Sequence, residues 1–302
     1  MRIKNLLKSA LSLGVVCVLA LSITACGGAA PKKFTVAYLP NESTEQNADA
    51  RNGMAKDLSK VLGIEVVEIQ SSDYNSVIEA MRTGKADMAY FGPLSFALAY
   101  ERANVEPLGM KSKDGTKENA TYKSVIITNA KNSDINSIAD IKGKTMAFVD
   151  PNSTSGNLVP CAEIMKSFVS ENLTMDDLHT NGKFFSAVSF SGTHQSGLQA
   201  VIKGDVDVAP ISDQTLAAEI KNGNAKESDI KIIHSSSPIP AEPMAIRKDL
   251  PQDIKDKVKN FILTYQNKAY FENVIGAKGG KFIPCTIDDY KDIIELNKQL
   301  NK

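Results

Sequence analysis

The stretch Asp150-Pro151-Asn152-Ser153-Thr154-Ser155-Gly156-Asn157-Leu158-Val159-Pro160 follows the apolar run 145–149 and precedes a segment whose apolar residues recur at helical spacing. This order predicts a buried strand, a hydroxyl-rich loop and a helix. Backbone N–H groups at a helix start lack intrahelical partners and lie at the positive end of the helix dipole, which favours anions. The stretch therefore predicts an anion site, whose residues are Ser153, Thr154, Ser155 and Gly156.

Helix capping is a simpler explanation of the same stretch, because Ser, Thr and Asn are preferred N-cap residues. A cap needs only one such residue, so both explanations stay open. A nucleotide-binding P-loop is excluded, since GxxxxGK[ST] occurs nowhere in the chain. No Lys or Arg lies between Asp150 and Pro160, so we expect neutral donors to hold the anion.

The N-terminal residues 1–25 have the composition of a secretory signal, with a basic head, an apolar run over 10–23 and small residues before the cut. Ile23-Thr24-Ala25-Cys26 resembles the bacterial lipobox, in which the cysteine becomes the lipid-modified first residue. An ordinary signal peptide cut at Ala25 is the alternative. Residues 26–33 are predicted to be the lipidated cysteine and a flexible tether.

Length and charge limit the possible functions. The 302-residue chain leaves 276 residues after Cys26, enough for two lobes. Its 35 basic and 35 acidic residues balance, which argues against a nucleic-acid or polybasic membrane partner. Cys161 and Cys285 form neither a disulfide framework nor a metal motif, and whether they are free or paired stays open. We expect no metal and no cofactor.

Strand-like and helix-like segments alternate along the chain, which predicts an α/β fold with parallel strands. Among these segments are a helix expected over 44–62 and a strand expected over 121–128. The alternation repeats in the second half, so we predict two α/β lobes with a hinge and a central cleft. Plausible crossovers lie at 123–126 and 236–242. The predicted boundaries are 34–124 with 237–302 for a discontinuous first lobe, and 125–236 for the second.

The mature chain resembles the phosphonate-binding, PhnD-type substrate-binding component of an ABC importer. The segments that carry this resemblance are Ser72–Tyr74, Val77–Arg82, Gly84–Gly92, Asp150–Pro160, His194, Ala200–Val201, Val206–Ala209, Pro238–Pro240 and Pro243. The resemblance implies a type II binding protein that closes around its ligand by hinge motion. It also implies a small phosphonate-like anion as ligand and an ABC permease with its ATPase as partner. We expect a monomer that contacts the membrane only through its lipid anchor.

The resemblance also implies roles for individual residues. The phosphonate group would contact the helix start at Ser153–Ser155 and His194, whose charged form a dianion would favour. Tyr74 matches the first of two family tyrosines. At the second, the order Tyr90-Phe91 places Phe91 at the ligand-facing position and Tyr90 in the core, because adjacent strand residues face opposite sides. Further residues expected to reach the cleft, or to cap a helix, are Ser43 and Thr44.

Two carboxylates recognise an aminoalkyl tail in the family. Glu242 matches one of them, whereas the other position is the neutral Gln214, with Asp213 beside it. The ligand is therefore open among aminophosphonates, other phosphonates, phosphite, phosphate and sulfonates. A subunit that presents its ligand to a sensor kinase is a further alternative. A serine hydrolase is disfavoured because Ser155 lacks the G-x-S-x-G elbow, and we predict that the protein is not an enzyme.

Overall fold

The computed structural model describes residues 32–301. The predicted leader over 1–25 and the predicted lipid site at Cys26 lie outside the described residues. Lys33 belongs to the first strand, so the predicted tether ends before it. Within 32–301, no helix is both long and apolar enough to cross a membrane.

Thirteen strands are found among the described residues, in two larger sheets and one short ribbon. Their bounds are β1 Lys33–Tyr38, β2 Glu65–Gln70, β3 Met88–Tyr90, β4 Val105–Ser112, β5 Thr121–Tyr122, β6 Ser124–Asn129, β7 Thr145–Phe148, β8 Ala187–Phe190, β9 Val208–Ser212, β10 Ile230–Ser235, β11 Ile239–Pro240, β12 Pro243–Arg247 and β13 Lys281–Ile283. The six-stranded sheet has the order β13-β4-β12-β3-β1-β2, and the five-stranded sheet has the order β10-β6-β9-β7-β8.

Helices separate most of these strands. Their bounds are α1 Ala48–Leu62, α2 Tyr74–Arg82, α3 Pro93–Arg102, α4 Val159–Ser167, α5 Met175–His179, α6 His194–Lys203, α7 Asp213–Lys221, α8 Gln252–Thr264 and α9 Lys291–Leu300. Pairing of β1 with β2 and β3, and of β7 with β8 and β9, is parallel, as strand–helix alternation predicts. The predicted two-lobed α/β fold is confirmed.

The chain passes between the two sheets twice, and the two passages pair with each other. β5 and β11 form an antiparallel two-stranded ribbon in which Ile239 lies opposite Tyr122. We call the part with the six-stranded sheet the first lobe and the part with the five-stranded sheet the second lobe. The exact division of the chain at 124/125 and 236/237 stays a prediction.

Several helices and strands begin or end at residues other than those predicted from the sequence. The helix expected over 44–62 begins at Ala48, after a 3₁₀ turn at Glu45–Asn47. The strand expected over 121–128 is interrupted at Lys123, because β5 pairs in the ribbon whereas β6 pairs in the second sheet. Strand β4 was not predicted, since Pro107 and Gly109 interrupt its strand-like alternation.

Candidate functional site

A cavity of about 100 Å³ lies between the two lobes and is lined by residues of both. A cavity of this size suits a small ligand. The residues from the first lobe and the ribbon that line it include Leu39, Asn41, Glu42, Thr44, Tyr74, Lys111, Tyr122 and Glu242. Those from the second lobe include Ser153, Thr154, Ser155, His194, Gln195, Ser212 and Gln214.

Direct hydrogen bonds join the two lobes around this cavity. Asn41 Oδ1 accepts from the His194 backbone N–H at 3.0 Å, and the Asn41 carbonyl accepts from Gln195 Nε2 at 3.2 Å. Thr154 Oγ1 accepts from the Leu94 N–H at 2.9 Å, at the start of α3. The lobes are therefore in contact, as in the closed state of a hinged binding protein.

The helix start at Ser153–Ser155 supplies donors. A π-helical turn over Thr154–Leu158 leads into α4. Among the hydrogen bonds of residues 32–301, the backbone N–H groups of Thr154 and Ser155 have no acceptor, as expected for the first residues of a helix. Because both residues line the cavity and are almost fully buried, these N–H groups are suited to bind an anion.

Capping also occurs at this helix start. The capping and anion-site explanations therefore both apply, each to different atoms of the stretch. Ser153 Oγ accepts from the Gly156 N–H at 3.1 Å. Gly156 does not line the cavity, which corrects its predicted contact with the anion. Its lack of a side chain matters for packing, since a Cβ atom there would lie 2.4 Å from Val149 Cβ.

His194 is the first residue of α6 and is 5% exposed. Its Nδ1 accepts from the Ser212 N–H at 3.2 Å, so the neutral ring carries its proton on Nε2, which lies 3.4 Å from Ser155 Oγ. Burial, and then the positive charge of Lys111, lower the pKa of His194 to about 3. The ring is therefore a neutral single donor, and the predicted charged form is not favoured in this structure.

Two tyrosine hydroxyls face the helix start from the opposite wall. Tyr74 OH accepts from Asn41 Nδ2, and the Ser153 side chain lies beside it. Tyr122 OH lies beside the Thr154 and Ser155 side chains. Burial raises the pKa of both tyrosines, so both hydroxyls keep their protons and can donate. Tyr122 was not predicted, because its short ribbon strand gives no pattern of its own.

The structure gives no support to the prediction that Phe91 faces the ligand. Phe91 is fully buried in the hydrophobic core against α2 and α3, and it does not line the cavity. Tyr90 packs in the other core cluster of the first lobe, as predicted. Its hydroxyl has no hydrogen-bond partner in the described part of the chain and feels the charges of Glu242 and Glu42.

Other predicted residues divide between the cavity and the hinge. Thr44 and Gln214 line the cavity, and Gln214 Nε2 also donates to the Thr121 carbonyl at 3.3 Å. Ser43 does not line it, because its hydroxyl donates to the Leu39 carbonyl at 3.1 Å. Asp213 is also outside the cavity, since its carboxylate accepts from the Lys123 N–H at 2.9 Å beside the ribbon.

Most of the charged side chains near the donors were not predicted from the sequence. Lys111 Nζ lies 2.9 Å from Glu242 Oε2, and both side chains are mostly buried. Glu42 Oε2 is buried with no hydrogen-bond partner among the described residues. Charged side chains therefore line the same cavity as the neutral donors that are expected to hold the anion, and Lys111 comes from a distant part of the chain.

Glu42 is expected to make binding sensitive to alkaline pH. Burial, and then the charge of Glu242, raise its pKa to about 8, while Lys111 and Arg51 act in the opposite direction. The carboxyl is therefore neutral at pH 7 and gains a negative charge as the pH rises through about 8. Because that charge repels a bound anion, we expect the affinity for the predicted phosphonate-like anion to fall by at least about tenfold between pH 7 and 9.5.

The control for this pH effect is Glu42→Gln, which keeps the shape of the side chain and cannot ionise. Ionisation of the ligand affects both proteins equally, so the ratio of the two dissociation constants isolates the effect of Glu42. Titration calorimetry at each pH measures that ratio. A constant ratio from pH 7 to 9.5 would show that Glu42 does not titrate against the ligand.

The site lacks the arrangement of a hydrolase. Ser155 Oγ and His194 Nε2 lie 3.4 Å apart, but His194 Nδ1 accepts from a backbone N–H and contacts no carboxylate. An orienting acid is therefore absent from this pair. No group of His, Cys, Asp and Glu among residues 32–301 can hold a metal ion. Cys161 and Cys285 are free thiols.

Two α/β lobes in contact around a small cavity, with unbonded N–H groups at a helix start, define the class of extracytoplasmic substrate-binding proteins. The model of one family, the periplasmic substrate-binding protein of phosphonate ABC transporters, matches residues 36–290. The chain belongs to this family, whose members bind substrates for import and are not enzymes.

Relatives of known description agree with this family. The phosphate-import protein PhnD of Mycolicibacterium smegmatis is 31% identical over 249 residues, which cover 80% of this chain and 74% of that protein. The phosphonates-binding periplasmic protein of Escherichia coli is 30% identical over 252 residues, covering 80% and 70%. The structure of PhnD1 from Prochlorococcus marinus in complex with methylphosphonate has a TM-score of 0.76 at 25% identity, covering 90% and 99%.

Proposed function

We propose that this protein captures a phosphonate, or a closely related phosphorus oxyanion, between its lobes and delivers it to an ABC permease and its ATPase. The observation that carries the proposal is the pair of unbonded N–H groups on Thr154 and Ser155, two residues that line a cavity shared by both lobes. Closure of the lobes around the anion would let the permease distinguish the loaded protein from the empty one.

The donors around these N–H groups are sufficient for tight binding. We assign hydrogen bonds to the anion to the hydroxyls of the helix start, the Tyr74 and Tyr122 hydroxyls, and His194 Nε2. A hydrogen bond to a charged group contributes about 1.5–3 kcal/mol, so four to six of them can exceed the roughly 8 kcal/mol of micromolar binding. Lys111 adds a positive charge at the same cavity.

The descriptions of the relatives support a phosphorus oxyanion over other ligands. One relative is described as a phosphate importer, another as a phosphonate binder, and the Prochlorococcus structure holds methylphosphonate. A thermal-shift panel separates these ligands from phosphite, sulfate and sulfonates. At a concentration one hundred times its Kd, a true ligand stabilises the folded protein by about 2.7 kcal/mol, which raises Tm by roughly 5 °C or more.

The outcome of this panel decides the proposed function. We expect methylphosphonate to raise the Tm of the chain from Gly27 onward and sulfate to leave it unchanged. Stabilisation by sulfonates alone, or by none of the anions, would contradict the proposal.

We further propose that the protein is a monomer anchored to the cell membrane by a lipid on Cys26. The lipobox-like residues before Cys26 support this anchor. In the native host, Cys26→Ser is expected to move the protein from the membrane fraction to the soluble fraction. A Cys17→Ser protein, altered inside the predicted leader, is the matched control and should remain with the membrane.

A further inference from the structure

Lys111 and Glu242 form a preformed ion pair in the wall of the cavity. Lys111 lies in β4, and Glu242 directly precedes the neighbouring strand β12. The Lys111 N–H donates to the Glu242 carbonyl at 3.1 Å. Their side chains are 8% and 14% exposed, and Lys111 Nζ also lies 3.5 Å from the Ile275 carbonyl. The ammonium group therefore lies between the Glu242 carboxylate and the Ile275 carbonyl, and its side chain is buried, unlike the exposed lysines of a protein surface.

The Lys111–Glu242 ion pair determines the electrostatic environment of a ligand tail in the cavity. The acidic side chains lining the cavity are Glu42, Glu219 and Glu242, and Lys111 is the cationic side chain among its described lining residues. Glu242 already has a cationic partner in Lys111. Because the pKa of Glu42 is raised to about 8, Glu42 is neutral at pH 7. Lys111, Glu242 and Glu42 together therefore offer little net negative charge to a second cation.

We propose that Lys111 determines specificity by occupying the position that a cationic ligand tail would need, so that the site selects phosphonates with a small uncharged tail over aminoalkylphosphonates. This inference rests on the proposed function. An aminoalkyl tail directed at Glu242 meets the Lys111 ammonium at the same carboxylate oxygen, and two like charges in one buried position repel. The volume of about 100 Å³ also suits a headgroup with a short tail.

Removal of Lys111 should therefore release Glu242 for a ligand ammonium. The test compares methylphosphonate with 2-aminoethylphosphonate, which share the phosphonate group, by titration calorimetry at pH 7. Loss of the nearby Lys111 cation weakens the binding of both ligands, because both carry the same phosphonate group. The ratio of their dissociation constants therefore reports only the effect of the tail. We expect wild type to prefer methylphosphonate and Lys111→Met to shift this ratio toward 2-aminoethylphosphonate by about ten- to a hundredfold, as for a hydrogen bond to a charged group.

Three further variants make the test specific. Lys113→Met removes an exposed lysine two residues away and should leave the ratio at the wild-type value. Lys111→Met combined with Glu242→Gln should lose the gain, because the released carboxylate is then absent. Lys111→Gln retains a donor for the Ile275 carbonyl and should shift the ratio in the same direction if Lys111→Met does not fold.

The outcomes separate this inference from the proposed function. If wild type binds methylphosphonate and both Lys111 variants keep the wild-type ratio, Lys111 does not set specificity and the inference is overturned. A gain that persists without the Glu242 carboxylate overturns it as well. If wild type binds neither phosphonate, the inference is overturned. The proposed function fails as well only if phosphate and phosphite also leave Tm unchanged.

Discussion

Replacement of Ser153, Thr154 and Ser155 together by alanine is expected to weaken methylphosphonate binding by at least about a thousandfold. Each of the three hydroxyls has a proton available for the anion, even where its oxygen accepts a bond from the Gly156 or Leu94 N–H. At about 1.5 kcal/mol each, the lower limit for hydrogen bonds to a charged group, three lost bonds amount to roughly three orders of magnitude in Kd.

Folding of the triple variant should change much less than its binding. Ser153 caps the helix start, and loss of such a cap costs about 1 kcal/mol, or roughly 2–4 °C in Tm. The matched control is Thr174→Ala, which removes the cap of α5 away from the cavity. It should lower Tm by a similar amount and leave the titration isotherm unchanged. If the triple variant binds methylphosphonate within tenfold of wild type, the role of these three side chains would be helix capping alone.

The second large effect is expected for His194→Ala, with a loss of affinity of about ten- to a hundredfold. The lost group is the Nε2–H donor of a neutral ring. Because the pKa of His194 is lowered to about 3, the ratio of variant to wild-type Kd should stay constant between pH 5.5 and 7.5. If the anion required an imidazolium, that ratio would instead rise about tenfold for each unit by which the pH falls from 7.5 to 5.5, because the charged fraction of the ring rises about tenfold per unit at pH values above its pKa.

Stability provides an independent check on this histidine. A histidine whose folded pKa lies below its unfolded value of about 6.5 contributes stability above that pH, which is lost as the pH falls toward 3. His194→Ala should therefore flatten the decrease in the free energy of unfolding between pH 6.5 and 4. His234→Ala, which removes a ring bonded to Glu163 outside the cavity, is the control and should bind methylphosphonate as wild type does.

Alternation along the chain could assign Tyr90, the last residue of β3, and Phe91, which follows it, to opposite faces of the sheet. It could not assign the environment of each face. The structure places helices α2 and α3 over Phe91, which buries it completely. The same limit applies to Asp213, since a carboxylate next to a cavity residue can bond the hinge backbone instead. Which face meets the cleft depends on helices that pack from elsewhere in the chain.

The two-lobed α/β fold and the donors at Ser153–Ser155 follow from the sequence by itself, because strand–helix alternation and a polar helix start are local properties. The tertiary structure alone decided that Lys111 meets Glu242, that Glu42 is buried beside them, and that Tyr122 faces the helix start. These contacts depend on strand pairing and lobe closure between distant segments. Spacing along the chain does not encode such distances. The charged groups proposed to govern selectivity could therefore be identified only from the folded structure.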